Sequence, residues 1–202
     1  MSKERFMIID GNALVHRAFH ALPPLSTKDG KLVNAVYGFT TVLMKALREL
    51  QPAYAAVTFD LPGPTFRDEL YKEYKATRVK QPQELYDQLP LVKQVVRAFG
   101  IPVVEKQGVE ADDVIATLVE KSESRSQKSG IENVIVTGDM DTLQLVNEHT
   151  KVYGFRQGFS DVVIYDEATV KERYGLAPSQ MVDYKALRGD PSDNIPGVRG
   201  IG

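Results

Sequence analysis

Four short apolar runs, spaced by helix-length segments and each leading to acidic residues, constrain this chain more than any other feature. They are RFMIID (5–10), AYAAVTFD (53–60), IPVVEK (101–106) and NVIVTG (133–138). Uninterrupted apolar runs of this length suit strands covered on both faces. Apolar residues at helical spacing fill the gaps, as in NAVYGFTTVLMKALRELQ (34–51), with Val36, Phe39, Val42 or Leu43, Leu47 and Leu50 on one stripe. Strands alternating with crossover helices make a parallel sheet with right-handed connections. The expected fold is therefore α/β, with a mainly parallel, Rossmann-like sheet flanked by helices.

Smaller expectations follow along the chain. GNALVHRAFHAL (11–22) and GVEADDVIATLVEK (108–121) read as helices, and KVYGFR (151–156) and VVIYD (162–166) as later strands that pair. FRDELYKEYKATR (66–78) reads as partly helical, and Pro90 kinks or divides a helix over 82–100. SESRSQKSG (122–130) reads as a polar linker between elements, and EATVKERYG and SQMVDYKALRG as short helices.

In a parallel sheet all strand C-termini lie on one edge, where ligands bind. Asp10 ends the first run and Asp60 the second; Glu110, Asp112 and Asp113 follow the third; Asp139 and Asp141 follow the fourth. Asp190 and Asp193, in RGDPSDN, are further candidates. Helix capping or dipole stabilisation explains one or two of these acids. It does not explain the set, because two carboxylates about 4 Å apart repel by roughly 4 kcal/mol at an effective dielectric of 20. Cations between them relieve that repulsion. Oxygen donors without His or Cys suit Mg²⁺ or Mn²⁺, and the surplus of acids suggests two or more ions, the arrangement used for in-line attack on phosphodiesters.

A basic stretch supplies the counterpart. FRDELYKEYKATRVK carries Arg67, Lys72, Lys75, Arg78 and Lys80, with Tyr71 and Tyr74 interleaved. In a helix Lys72, Lys75 and Arg78 would form one row, suited to phosphates, with tyrosine stacking on an unpaired base. The alternative is a solvated helix in which Glu69 and Glu73 pair with lysine. Arg17 lies two turns into the helix after Asp10 and would face the same edge. His16 and His20, spaced i, i+4, have no acidic motif beside them and read as packing or surface residues. At the C-terminal end Gly197, Gly200 and Gly202 form a GxxGxG pattern, which either frees backbone N–H groups for an anion or is a flexible tail.

Composition excludes some classes. The 202 residues include no cysteine, which removes disulfides and Cys-bound zinc and suits a reducing compartment. No run approaches the roughly 20 apolar residues of a membrane span, and MSKERFMIIDGN is no signal peptide. A cytoplasmic location without a membrane partner is expected. The formal charge of −2 leaves any nucleic-acid footprint local rather than global.

IIDGNALVHRAFHALPPL, VTFDLPGPTFRDELYKEYKATR, GVEADDVIATL, TGDMDTLQLV and GDPSDNIPGVRGIG, in that order, resemble the 5′–3′ exonuclease domains of bacterial DNA polymerases, within the flap endonuclease superfamily and its PIN-like fold. The resemblance covers essentially the whole chain. It implies a structure-selective, metal-dependent nuclease that cuts 5′ flaps and nicked duplexes at single-strand/double-strand junctions. It also implies roles. Asp10, Asp60, Glu110, Asp112 and Asp113 would lie nearest the catalytic metal, with Asp139, Asp141, Asp190 and Asp193 completing the cluster. Lys75, Arg78 and Arg17 would engage the scissile phosphate. Arg67, Lys72, Tyr74, Lys80 and the three glycines would contact DNA.

Met140 stands where the family often has Lys, and Arg199 where Pro or Lys is usual. The expected division is a PIN-like nuclease domain over 1–175 and an incomplete helix-hairpin-helix start over 176–202. K⁺ would bind the helix-hairpin-helix once complete, and a polymerase domain or chain is an expected partner. Ending at GVRGIG, the chain is expected to hold duplex weakly and cut poorly. A non-catalytic DNA-junction module is the competing reading. A phosphatase or receiver is disfavoured because Gly-Asn, not a DxD pattern, follows Asp10.

Overall fold

The computed structural model describes residues 4–156, 158 and 161–201, and the side chains of all of these except 125–129. The strands are β1 (Arg5–Asp10), β2 (Tyr54–Thr58), β3 (Val103–Val104), β4 (Glu132–Thr137), β5 (Thr150–Phe155) and β6 (Val162–Tyr165). The helices are α1 (Gly11–Ala21), α2 (Asn34–Leu50), α3 (Phe66–Leu70), α4 (Gln83–Tyr86), α5 (Leu89–Ala98), α6 (Ala111–Ser129), α7 (Glu167–Tyr174) and α8 (Met181–Arg188). The six strands form one sheet in the order β3-β2-β1-β4-β5-β6. All neighbours are parallel except β5 and β6, whose antiparallel register pairs Val152 with Tyr165 and Phe155 with Val162. This is the α/β class the sequence predicts.

Strand alternation explains the two cores. Met7 and Ile9 of β1 face one side, where they pack with Leu14, Phe39, Leu43, Val92 and Val96 from α1, α2 and α5. Ile8 faces the other side and packs with Ile115 and Val119 of α6, Val170 of α7 and Met181 of α8. Both faces of β1 are thus dry, which is why its sequence is a continuous apolar run.

The chain leaves β1 toward β2 and β3 on one side and returns to β4 on the other. The order therefore reverses between β1 and β4, and a crevice opens at their C-terminal ends.

One local expectation is corrected, and a second, a partly helical basic segment, is borne out. The segment 122–130 is not a linker: α6 continues to Ser129. Extending a nucleated helix costs little per residue. Glu123 also anchors this one, accepting from Thr150 Oγ1 at 2.6 Å and Asn147 Nδ2 at 2.9 Å. The basic segment is helical only over α3. Beyond it the chain winds through successive turns, and Lys75 takes a positive φ of 55° that no helix accommodates. Pro90, at the start of α5, divides the 82–100 segment into two helices.

Candidate metal centre

The crevice is built from strand ends outward. Asp10 is 4% exposed and caps α1, accepting from Ala13 N–H at 3.0 Å; its second oxygen accepts from Thr137 Oγ1 of β4 at 2.8 Å. Asp60 accepts from Ala111 N–H at 2.7 Å, so an acid following β2 caps α6. The capping reading was thus correct for Asp10, whereas Asp60 serves α6 rather than the segment that follows it; the cap does not remove the electrostatic cost at Asp10. Burial, with Asp139 and Asp60 nearby, pushes Asp10 up to about 6. Burial first, then Asp10, Asp139, Asp60 and Glu110, push Asp112 up to about 8. Burial also raises Asp139, although its carboxylate accepts from Asp141 N–H at 2.9 Å. Acids from four separate strand ends therefore feel one another across a single crevice.

The crevice opens into a cleft of about 740 Å³. Its walls carry Glu110, Asp112, Asp139, Asp141, Asp190 and Asp193 together with Lys75, Arg78 and Lys185. Positive side chains interleave with the outer acids. Lys75 Nζ lies 2.6 Å from Glu110 Oε1, and Arg78 Nη2 lies 2.5 Å from Asp193 Oδ1. Lys185 Nζ bridges Asp141 at 2.7 Å and Asp190 at 2.9 Å. Burial alone would raise Asp190; hydrogen bonds from Ser192 and Lys185 outweigh it and hold the carboxyl down at about 2.

Several expected roles are corrected. Asp113 is taken up by Arg67, which grips both its oxygens at 2.7 and 2.8 Å, holds its carboxyl below the usual range and also lies 4.0 Å from Glu110 Oε2. Arg67 is correspondingly occupied rather than free for DNA. Tyr74 is only 9% exposed, and its hydroxyl donates toward Glu110 at 3.1 Å and Asp193 at 3.2 Å, so its ring is not a stacking platform. Lys72, Lys75 and Arg78 do not form a row, because the turns at Lys75 break the periodicity; Lys72 and Lys80 point to solvent. Arg17 reaches the same edge, but its Nε donates to Gly158 O at 3.0 Å and its guanidinium lies over the Phe155 ring.

The glycines also divide. Gly197 lacks a side chain because a Cβ there would meet Arg188 O at 2.2 Å, a packing requirement. Gly200 has φ 90° and open space around it; Gly202 lies outside the described residues. His20 bonds Gln81 at 2.9 Å, and burial lowers the half-buried His16, in keeping with their reading as packing and surface groups.

Three contributors escaped the sequence reading. Thr137 satisfies Asp10, Ser192 satisfies Asp190, and Lys185 bridges two acids. Thr137 is the first residue of the TGDMD motif, which is a faint signal; Lys185 carried none.

The donor chemistry fits a hard divalent cation: carboxylates pushed toward protonation by burial and by each other regain their charge when a dication joins them. As the side chains lie, no three acidic or imidazole groups among the described residues surround one point at metal-binding range. Glu110, Asp141, Asp190 and Asp193 are instead held by ammonium and guanidinium groups.

A mainly parallel sheet flanked by helices, with an acid-lined cleft at its switch point, defines the structural class. The chain belongs to the family of 5′–3′ exonuclease N-terminal resolvase-like domains, whose model matches residues 5–175. It is 48% identical to DNA polymerase I of Chloroflexus aurantiacus, over all of this chain and 21% of that protein. It is 44% identical to DNA polymerase I of Bacillus subtilis, over 99% of this chain and 22% of that protein. The chain thus spans about a fifth of the length of these curated relatives. Among solved structures, the T5 D15 protein co-crystallised with metal ions superposes with a TM-score of 0.80 at 21% identity, over 98% of this chain and 72% of that one. The catalytic core of Rad2 in complex with DNA gives 0.57 at 19%, over 99% and 58%. At these identities the likeness concerns the fold.

Proposed function

We propose that this chain is a divalent-metal-dependent 5′ nuclease module that hydrolyses phosphodiester bonds of DNA at 5′ flaps and nicks. The observation that carries the reading is the gathering of Asp10, Asp60, Asp112 and Asp139 at one edge of the sheet, where Thr137 links Asp10 to the Asp139 N–H and Asp60 bonds the N–H of Ala111 beside Asp112, next to a cleft wall bearing Lys75 and Arg78. Membership of the exonuclease family and the kinship with DNA polymerase I chains support it. Mg²⁺ or Mn²⁺ is the proposed ion, with two or more per centre. The metal ions of the T5 D15 protein are consistent with this. DNA with a single-strand/double-strand junction is the proposed substrate, and a polymerase domain or chain the proposed partner. Residues 1–175 would form the nuclease unit and 176–202 the start of a DNA-gripping segment.

Roles follow from what each group can do. The inner carboxylates Asp10, Asp60, Asp112 and Asp139 would hold the ions, with Glu110, Asp141, Asp190 and Asp193 on the outer side. Bound dications supply Lewis-acid charge beside the phosphate and lower the pKa of water. Lys75 and Arg78 exchange their carboxylate partners for the non-bridging phosphate oxygens and neutralise the charge that grows there. Asp113 and Arg67 hold the α6 N-terminus against α3 and keep Glu110 in place; Tyr74 ties the basic turns to Glu110 and Asp193. Water attacks phosphorus, the 3′-side oxygen leaves with a proton, and the products are a 3′-hydroxyl and a 5′-phosphate. No side-chain nucleophile is needed.

The test is cleavage of a labelled 5′-flap duplex with Mg²⁺ and with EDTA. Mg²⁺-dependent cuts near the junction, lost in Asp10→Asn and strongly reduced in Lys75→Ala, are the expected result. Junction binding without any Mg²⁺-dependent cut would replace the nuclease reading with that of a binding module.

A further inference from the structure

The acids of the cleft differ in what they already bond. Asp10, Asp60, Asp112 and Asp139 form no ion pair among the described residues. The bonds that Asp10, Asp60 and Asp139 accept come from a hydroxyl and from backbone N–H groups. Asp141 and Asp190 share a single ammonium. Lys185, from α8, places Nζ 2.7 Å from Asp141 Oδ1 and 2.9 Å from Asp190 Oδ2. The three residues come from three elements: the turn after β4, helix α8, and the turn after α8. One positive charge therefore does for the outer pair what a dication would do, separating two negative groups and satisfying an oxygen of each.

We propose that Lys185 is the resident counter-ion of this outer pair and makes the centre fill in order. This rests on the metal-dependent nuclease reading above. A first divalent cation enters the inner set with Lys185 in place. A second enters beside Asp141 and Asp190 only when Lys185 hands its ammonium to another anion.

Charge is the reason. A dication arriving beside a bound ammonium meets like charge at short range in a partly desolvated cleft. A phosphodiester in the same cleft removes that conflict by accepting the ammonium. The side chain of Lys185 is 34% exposed and lines the cleft, so it has room to swing toward such a group. By linkage, whatever binding of the strand does for the second ion, the second ion does for binding of the strand. Lys185 is thus a positioning residue, and the full metal complement assembles only on substrate.

The experiment counts ions on the DNA-free chain by Mn²⁺ titration with EPR detection of free Mn²⁺, alongside calorimetry. Wild type is expected to bind one ion through the low-millimolar range. Lys185→Met is expected to bind two, the second tightened about tenfold or more by loss of the competing charge. Lys185→Arg, which keeps the charge, is expected to bind one. Asp141→Asn on the Lys185→Met background is expected to lose the gained ion. One ion in both wild type and Lys185→Met, or two in wild type, overturns the proposal while leaving the nuclease reading intact. No ion in wild type overturns both. Should Lys185→Met not fold, Lys185→Gln replaces it; should neither fold, the wild-type count decides.

Discussion

Replacing Asp10 with Asn should stabilise the metal-free protein at alkaline pH. Asp10 is pushed from 3.8 to about 6, chiefly by burial. Two units correspond to about 3 kcal/mol. Its folded pKa lies above its unfolded one, so between about 4 and 6 the folded state holds the extra proton. Stability is therefore fullest below pH 4, falls as pH rises through 6, and carries the whole penalty above that. Asparagine has no charge to desolvate.

Asparagine can still accept from Ala13 N–H through Oδ1, so the α1 cap survives. The cost is at Thr137, whose hydroxyl donates to Asp10 and accepts from Asp139 N–H at 2.9 Å; losing its acceptor costs about 1 kcal/mol. The net gain at pH 8 is about 2 kcal/mol, or roughly 4–8 °C in Tm for a chain of this size. Urea unfolding in EDTA at pH 4 and pH 8 measures it. At pH 4 only the Thr137 cost remains, so the variant should be about 1 kcal/mol less stable than wild type there; at pH 8 its advantage should invert when Mg²⁺ is added, because the wild type gains about 2.7 kcal/mol at 100 times the ion's Kd. An Asp10→Asn protein less stable than wild type in EDTA at pH 8 would refute the reasoning, since it would mean that Asp10 is a net stabilising carboxylate.

Three other outcomes follow from the same geometry. Because Asp112 is raised to about 8, Mg²⁺ binding should expel about one proton at neutral pH and tighten by roughly tenfold per pH unit between 6 and 8; calorimetry in buffers of different ionisation enthalpy reads both. Arg67→Ala should cost about 1–3 kcal/mol and let the Asp113 carboxyl rise toward its ordinary value, visible in a ¹³C NMR titration; an unmoved Asp113 would contradict the pairing. Gly11→Ala should cost about 1–3 kcal/mol, because its Cβ would sit 2.4 Å from the buried Phe59 ring and 2.7 Å from Thr58 O; a denaturation midpoint equal to wild type would exclude that clash.

The convergence of Asp10, Asp60, Asp112 and Asp139 was legible because strand order and direction alone bring strand ends to one edge. What each acid bonds was not, because its partners arrive from elsewhere in the chain. Arg67 meets Asp113 across 46 positions, and Tyr74 meets Asp193 across 119. The i, i+3 spacing of Lys72, Lys75 and Arg78 was a genuine helical signal. It yielded to tertiary contact: Lys75 N–H donates to Asp193 O at 2.9 Å and Asn194 Nδ2 to Glu73 O at 2.8 Å, fastening the turns to the far wall of the cleft. The polar tail of α6 failed in the opposite direction. Its composition says linker, while Ser122 is buried and Glu123 is bound to β5.

Whether the inner carboxylates share a cation is settled most directly by anomalous diffraction from crystals soaked in Mn²⁺. A peak bounded by Asp10, Asp60, Asp112 and Asp139, absent from Asp10→Asn crystals, is the expected result. Crystals with no peak in the crevice, or with Mn²⁺ only at unrelated surface acids, would contradict a metal centre at the switch between β1 and β4.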